Sequence, residues 1–258
     1  MSRWWPERVV LRLGDPPRTG GLGQSGSPSE PDRPAARSEE VWSAFEHQVA
    51  SLALSRGTRV TCVVAGECVR YAVVPWHDEL GSDAQRQILA GQCFRDTYGD
   101  SAASWAVRQG SGRYGAATLA CALDTVLLDR LDAWSASRGF KLVSVQPSLM
   151  HAWNRARRRI AAGPFWFVLV EHGWTIVLLM SADDEPLHVK RWPSPVVDLA
   201  RRLDREWLSI GTDLPHCPVY LDHVGALLGA APTSDRAAAK WQFIDLTPAS
   251  SEARTVRT

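Results

Sequence analysis

The sequence predicts an α/β chain of two lobes, each a mixed sheet with flanking helices. Three observations carry that expectation. Short β-branched and aromatic runs alternate with apolar stripes of helical period along the chain. Paired strand-like runs followed by a single helical stripe occur twice. The 258 residues, 45% apolar and 22% charged, suffice for one large domain or two small lobes sharing a core. The expected organisation is a strand and a flexible Gly/Pro/Ser-rich loop over 1–38, a first lobe over 39–160, a second, reduced lobe over 161–248, and a polar disordered tail over 249–258.

In the first lobe, 9–13 reads as a strand. Over 39–55, Val41, Trp42, Phe45, Val49 and Leu52 recur at helical spacing, and Gly57 ends the run. Runs 59–64 and 69–74 read as strands joined in a hairpin at Ala65, Gly66 and Glu67. Ser82 or Asp83 caps a helix to about 97, and 104–109 and 116–123 flank a glycine-rich turn. Leu123, Leu127, Leu131 and Trp134 form a stripe expected to face a sheet holding 116–123 and 142–145, with Gly139 as the stop. Ser148 caps a further helix to about 160.

The second lobe opens on an ambiguous stretch. Residues 161–182 are mostly apolar, follow four arginines and are long enough to cross a bilayer. Glu171 and His172 sit at the centre, where an acidic residue costs roughly 3 kcal/mol on insertion. With Gly173 they make a turn between 165–170 and 175–180, so a buried β-hairpin is expected. A strand at 187–191 follows, then a helix at 196–208 opened by Pro195, with the stripe Val196, Leu199, Leu203 and Trp207. A strand at 219–221, a short helix or turn at 224–230 and an extended piece at 243–246 complete the lobe.

Lys+Arg (29) and Asp+Glu (28) nearly cancel, so no global field points to nucleic acid or an acidic substrate. The five Cys have no metal-ligand spacing and read as reduced, buried thiols of a cytoplasmic protein. The N-terminus has no signal-peptide pattern.

The chemistry-bearing motifs are weak. Gly21, Gly23 and Gly26 match G-x-G-x-x-G, but Pro-rich residues follow where a helix should open. Gly110, Gly112 and Gly115 match it again inside an expected hairpin, so neither sets a pyrophosphate on a helix N-terminus. Arg155, Arg157, Arg158 and Arg159 read as a solvated helix face that an acidic partner segment could meet. Asp183, Asp184 and Glu185, before Pro186, read as turn chemistry rather than a metal site. Asp222 and His223 are the nearest acid–His neighbours, and they carry a weak third reading as a small-molecule enzyme. No catalytic, cofactor-binding or metal-binding residue is assigned.

From about 58 to 192 an ordered series of pieces carries a resemblance. VRYAVVPW at 69–76 is followed by YGDSAASWAVRQ at 98–109, by LACALDTVLLDRLDAWSASRGFKLVSVQPSLMHAWNRARRRI at 119–160 and by FWFVLVEHGWTIVLLM at 165–180. The series resembles the actin-like (ribonuclease H-like) fold of PilM-type pilus assembly proteins and of the cytoplasmic domain of GspL-type secretion proteins. In nucleotide-binding members an Asp and a Gly-rich turn after the first strand hold phosphate and metal. Here 9–13 runs into Gly14, Asp15 and two prolines. A second phosphate turn would follow Glu171, His172 and Gly173, where bulky Trp174 stands, and the adenosine-side glycines are echoed by Gly225 and Gly229.

The resemblance thus implies a non-catalytic scaffold that uses no cofactor. It would link membrane-anchored pilus or secretion subunits to cytoplasmic parts, through a short peptide or a domain contact. The expected location is cytoplasmic and peripheral at the inner membrane, without spanning it; self-association stays open and no nucleic acid is expected. The alternative is an ATP-binding actin-like assembly protein with a divergent site.

Overall fold

The computed structural model describes residues 8–14, 34–171, 173–193, 199–211, 216–223 and 240–247. The first sheet is parallel, in the order β1 (Arg8–Leu13), β2 (Arg59–Val64), β6 (Lys141–Pro147). Strand alternation sends Val9, Leu11 and Leu13 to one face, where they meet Val60 and Cys62. Helices α1 (Pro34–Ala50) and α3 (Thr125–Arg138) cover that face with Trp42, Phe45, Leu131 and Trp134. Leu131 is fully buried, a burial worth roughly 1.5–3 kcal/mol for a side chain of its size.

A second, antiparallel sheet runs β3 (Arg70–Val74), β5 (Thr118–Asp124), β4 (Trp105–Gln109). Helix α2 (Asp83–Tyr98) packs Ala90 and Phe94 against its Val74, Val107, Ala120 and Ala122. Ser82 caps α2 in a reciprocal pair with Gln85.

The third sheet has the order β11 (Phe243–Asp245), β10 (Val219–His223), β7 (Phe165–Glu171), β8 (Trp174–Met180), β9 (Pro186–Pro193). All seven residues of β7 are buried, because both of its faces are covered. Trp166, Val168 and Val170 point to the side of α5 (Leu199–Ile210), with Leu203 and Trp207. Phe165, Phe167 and Leu169 point to the side of α4 (Ser148–Ala156), with Leu149 and Ala152. The expected hairpin is present, Val168 lying opposite Val177 and Glu171 opposite Trp174. Among the described residues no helix is long and apolar enough to cross a membrane.

Several local expectations change. Runs 59–64 and 69–74 are not a hairpin: β2 has a parallel neighbour on each edge, so β3 must leave for another sheet. The α3 stripe lies against two sheets rather than one, since β5 and β6 belong to different sheets, and Leu123 is a strand residue because Asp124 caps the helix after it. Helix α1 spans 34–50, not 39–55; Leu52 and Leu54 reach the same core from the turn beyond it. Ser148 is the first residue of α4 and not its cap, and the helix gives way to a 3-10 turn at Arg157–Arg159. Val196, residues 224–230 and most of 14–38 lie outside the described residues, as does the 249–258 tail.

Candidate functional site

The two lobes meet at the C-terminal ends of β1, β2 and β7, the place where the resemblance puts the phosphate turns. Ala65 N–H donates to the Leu13 carbonyl at 2.7 Å, which brings the end of β1 against the turn after β2. Gly14, at φ +100°, sits so near that an added Cβ would lie 2.5 Å from Ala65 Cβ. Gly66 in turn touches the second lobe: a Cβ there would lie 2.5 Å from Ile176 Cδ1 and 2.6 Å from Glu171 Oε2. Both positions need glycine for close approach.

Glu171 is 1% exposed. Its Oε2 accepts from Gly66 N–H at 2.7 Å, and its Oε1 accepts from the Arg12 guanidinium. A buried carboxylate is tolerable only with such partners. The N–H that could have met a phosphate oxygen is therefore occupied by a side-chain oxygen of this chain. Arg191 clamps the same turn: its Nη1 donates to the carbonyls of Gly66 (2.5 Å), Glu67 (3.0 Å) and Val69 (3.2 Å). Its guanidinium stacks on Trp174, 4.1 Å from the ring centroid.

A second buried carboxylate lies nearby on β10. Asp222 is fully buried, and its Oδ2 accepts from Arg155 Nη2 at 2.6 Å, while its Oδ1 meets no hydrogen-bond partner among the described residues. Burial, then the charges of Arg155 and Arg12, push the His151 pKa down, with Asp222 opposing them. The junction thus sets two acidic side chains against two guanidinium groups.

The other singled-out residues do not converge here. Asp222 and His223 point to opposite faces of β10 by strand alternation. Asp222 pairs with Arg155, while His223 Nε2 lies 3.7 Å from Asp245 Oδ2, so they form no catalytic dyad. Gly110, Gly112 and Gly115 lie between antiparallel β4 and β5, with no helix following. The arginine run is more than a solvated face: Arg159 also donates to the Leu246 carbonyl at 2.6 Å, so two of its members brace the second lobe. Asp183 to Glu185 form the turn between β8 and β9, and Glu185 Oε1 accepts from Ala117 N–H at 2.7 Å, joining the turn to β5. Among the described residues no group of three or more His, Cys, Asp or Glu could hold a metal. Gly21, Gly23, Gly26, Asp15, His172, Gly225 and Gly229 lie outside the described residues. All five cysteines are free thiols, and burial pushes Cys62 and Cys68 up to about 12.

Sequence reading missed Arg12, Gly66 and Arg191. The one available signal was the alternation of β1, which sends Arg12 away from the core formed by Val9, Leu11 and Leu13 and towards the other lobe.

Two mixed α/β lobes meeting at these strand ends make an actin-like fold, and a solved structure supports it. A chain of the PilM-PilN type IV pilus biogenesis complex aligns at TM-score 0.57 and 14% identity, covering 77% of this chain and 73% of that one. The cytoplasmic domain of EpsL, an inner membrane component of the type II secretion system of Vibrio cholerae, aligns at TM-score 0.49 and 14% identity, over 83% of this chain and 77% of that one. A protein of actin-like ATPase fold and unknown function from Bacteroides thetaiotaomicron aligns at TM-score 0.49 and 10% identity, over 85% and 82%. No family model matches the sequence, and no curated protein does.

Proposed function

We propose that this chain is a non-catalytic actin-like scaffold of a bacterial pilus or type II secretion-like assembly machine. It links membrane-anchored subunits to cytoplasmic parts at the inner membrane, and it works without a nucleotide. The observation that carries the reading is the position of the Glu171 carboxylate, on the Gly66 N–H and beside Arg12. A triphosphate needs free backbone N–H groups, small residues and carboxylates open to a metal. Here the N–H is taken, the carboxylate is held by an arginine, and Trp174 stands after the turn. These described residues of the junction count against a nucleotide. Support for the assembly role comes from the likeness to a chain of the PilM-PilN complex, which bears on fold and extends to function by analogy.

Thermal melting with millimolar Mg-ATP tests the reading. A ligand at a hundred times its dissociation constant stabilises a fold by about 2.7 kcal/mol. No shift is expected. An upward shift abolished by EDTA would overturn the scaffold in favour of an ATP-binding assembly protein.

A further inference from the structure

A groove of 470 Å³ runs between β3 and β9, beside the C-terminal end of α2. Its lining carries Arg70, His188, Lys190 and Arg191 and no carboxylate. Two of these four lie beside one carboxylate outside the groove. Lys190 Nζ lies 2.7 Å from one Glu206 oxygen, and His188 Nε2 lies 3.3 Å from the other. The two arginines are not answered in that way. Arg70 Nη1 donates to the carbonyls of Glu67 (2.9 Å) and Val69 (3.2 Å), and Arg191 likewise commits only Nη1 to carbonyls. Neither arginine pairs with a carboxylate among the described residues, and both residues line the groove. Burial, then the charge of Arg70, draws the Arg191 pKa down to about 10. The pair thus repels itself and gains from an anion set between its members.

Aromatic and aliphatic side chains, with Thr97 among them, make up the rest of the lining. Tyr98 is 38% exposed and Leu187 37% exposed. Among the described residues β3 pairs only with β5 and β9 only with β8, so each turns an unfilled backbone edge away from its own sheet.

We propose that this groove docks an acidic, apolar segment of a protein partner, with a carboxylate bridging Arg70 and Arg191 and flanking apolar side chains seated on Tyr98 and Leu187. Planar guanidinium forks suit carboxylates in this way, by paired, charge-assisted hydrogen bonds. Arginine and tyrosine anchors dominate many protein interfaces for the same reasons of geometry and area. The inference rests on the scaffold reading and names the surface through which such a scaffold would be held.

The test uses the full chain and a fluorescein-labelled nonapeptide of alternating glutamate and leucine, followed by anisotropy. Saturable binding is expected for this probe and not for its lysine–leucine counterpart. Arg70→Gln and Leu187→Ala should each weaken it about tenfold or more, equivalent to about 1.4 kcal/mol, and Leu187, exposed on the groove, separates lost binding from lost folding. Arg191 is left intact because it also holds the Gly66 turn. Free glutamate or inorganic phosphate at millimolar concentration should not compete; full competition would make this a small-anion site and overturn the proposal. Lack of saturable binding, equal binding of the lysine probe, or indifference to both substitutions would overturn it as well. Because none of these outcomes involves nucleotide, failure here leaves the Mg-ATP result, and with it the scaffold reading, to stand or fall separately.

Discussion

Arg12 and Glu171 form an ion pair between the two lobes, from strands 159 residues apart in the chain. Glu171 is 1% exposed and Arg12 about a quarter exposed on its side chain. The carboxylate has given up water for one guanidinium and one backbone N–H, so the lobes are joined at the ends of β1 and β7.

Removing one partner strands the other in a dry site. Arg12→Met should therefore destabilise the fold by about 3–5 kcal/mol, read from chemical denaturation. The double variant Arg12→Met, Glu171→Leu should recover part of that loss, since an apolar pair needs no solvation but leaves the Gly66 N–H without its acceptor. A single variant with unchanged stability would show that the pair contributes nothing to closure.

Gly66 should not tolerate a methyl group. Gly66→Ala places a Cβ 2.5 Å from Ile176 Cδ1 and 2.6 Å from Glu171 Oε2, and overpacking of this kind costs about 1–3 kcal/mol. Ile176→Val removes the clashing Cδ1, so the double variant should lose less than the sum of the single losses. Strict additivity in urea unfolding would sink this account of the glycine.

Stability should fall between pH 7.5 and 5.5. His151 has its pKa lowered by burial, then by Arg155 and Arg12, against Asp222. That of His188 is lowered by burial and by Lys190, against Glu206. With folded pKa values below the unfolded value of about 6.5, the unfolded chain binds more protons in this window. Stability is then full above the unfolded pKa and declines as pH falls from there towards the lowered folded values. Denaturation midpoints of the wild type and of His151→Gln, His188→Gln check this: the double variant should show the flatter profile. Equal slopes would count against it.

Much of the fold was readable because it is written in local period. The Ser82 cap, the Gly139 stop at φ +71° and the 165–180 hairpin all follow from neighbours within a few residues. The apolar run at 165–170 also read as one strand of a buried hairpin, and β7 is buried along its whole length. The partners of strands were harder. Runs 59–64 and 69–74 look like any hairpin, yet β2 pairs with 8–13 and 141–147 while β3 pairs with 118–124. The turn chemistry is the same in both cases; only the distant competing strands decide.

The candidate site shows the same division more sharply. The sequence by itself determined the α/β alternation, the cores of the sheets and the bulky Trp174 where the resemblance would put a phosphate turn. It also placed Glu171 at a turn, through the cost of an acidic residue inside an apolar run. Only the tertiary structure decided that this carboxylate meets Arg12 and the Gly66 N–H, and that Arg70 and Arg191 share a groove. Apolar burial is set by pattern and needs no particular partner, so period reveals it. A buried charge is satisfied only by named atoms at hydrogen-bond distance, and those atoms are brought together by chain closure over more than a hundred residues.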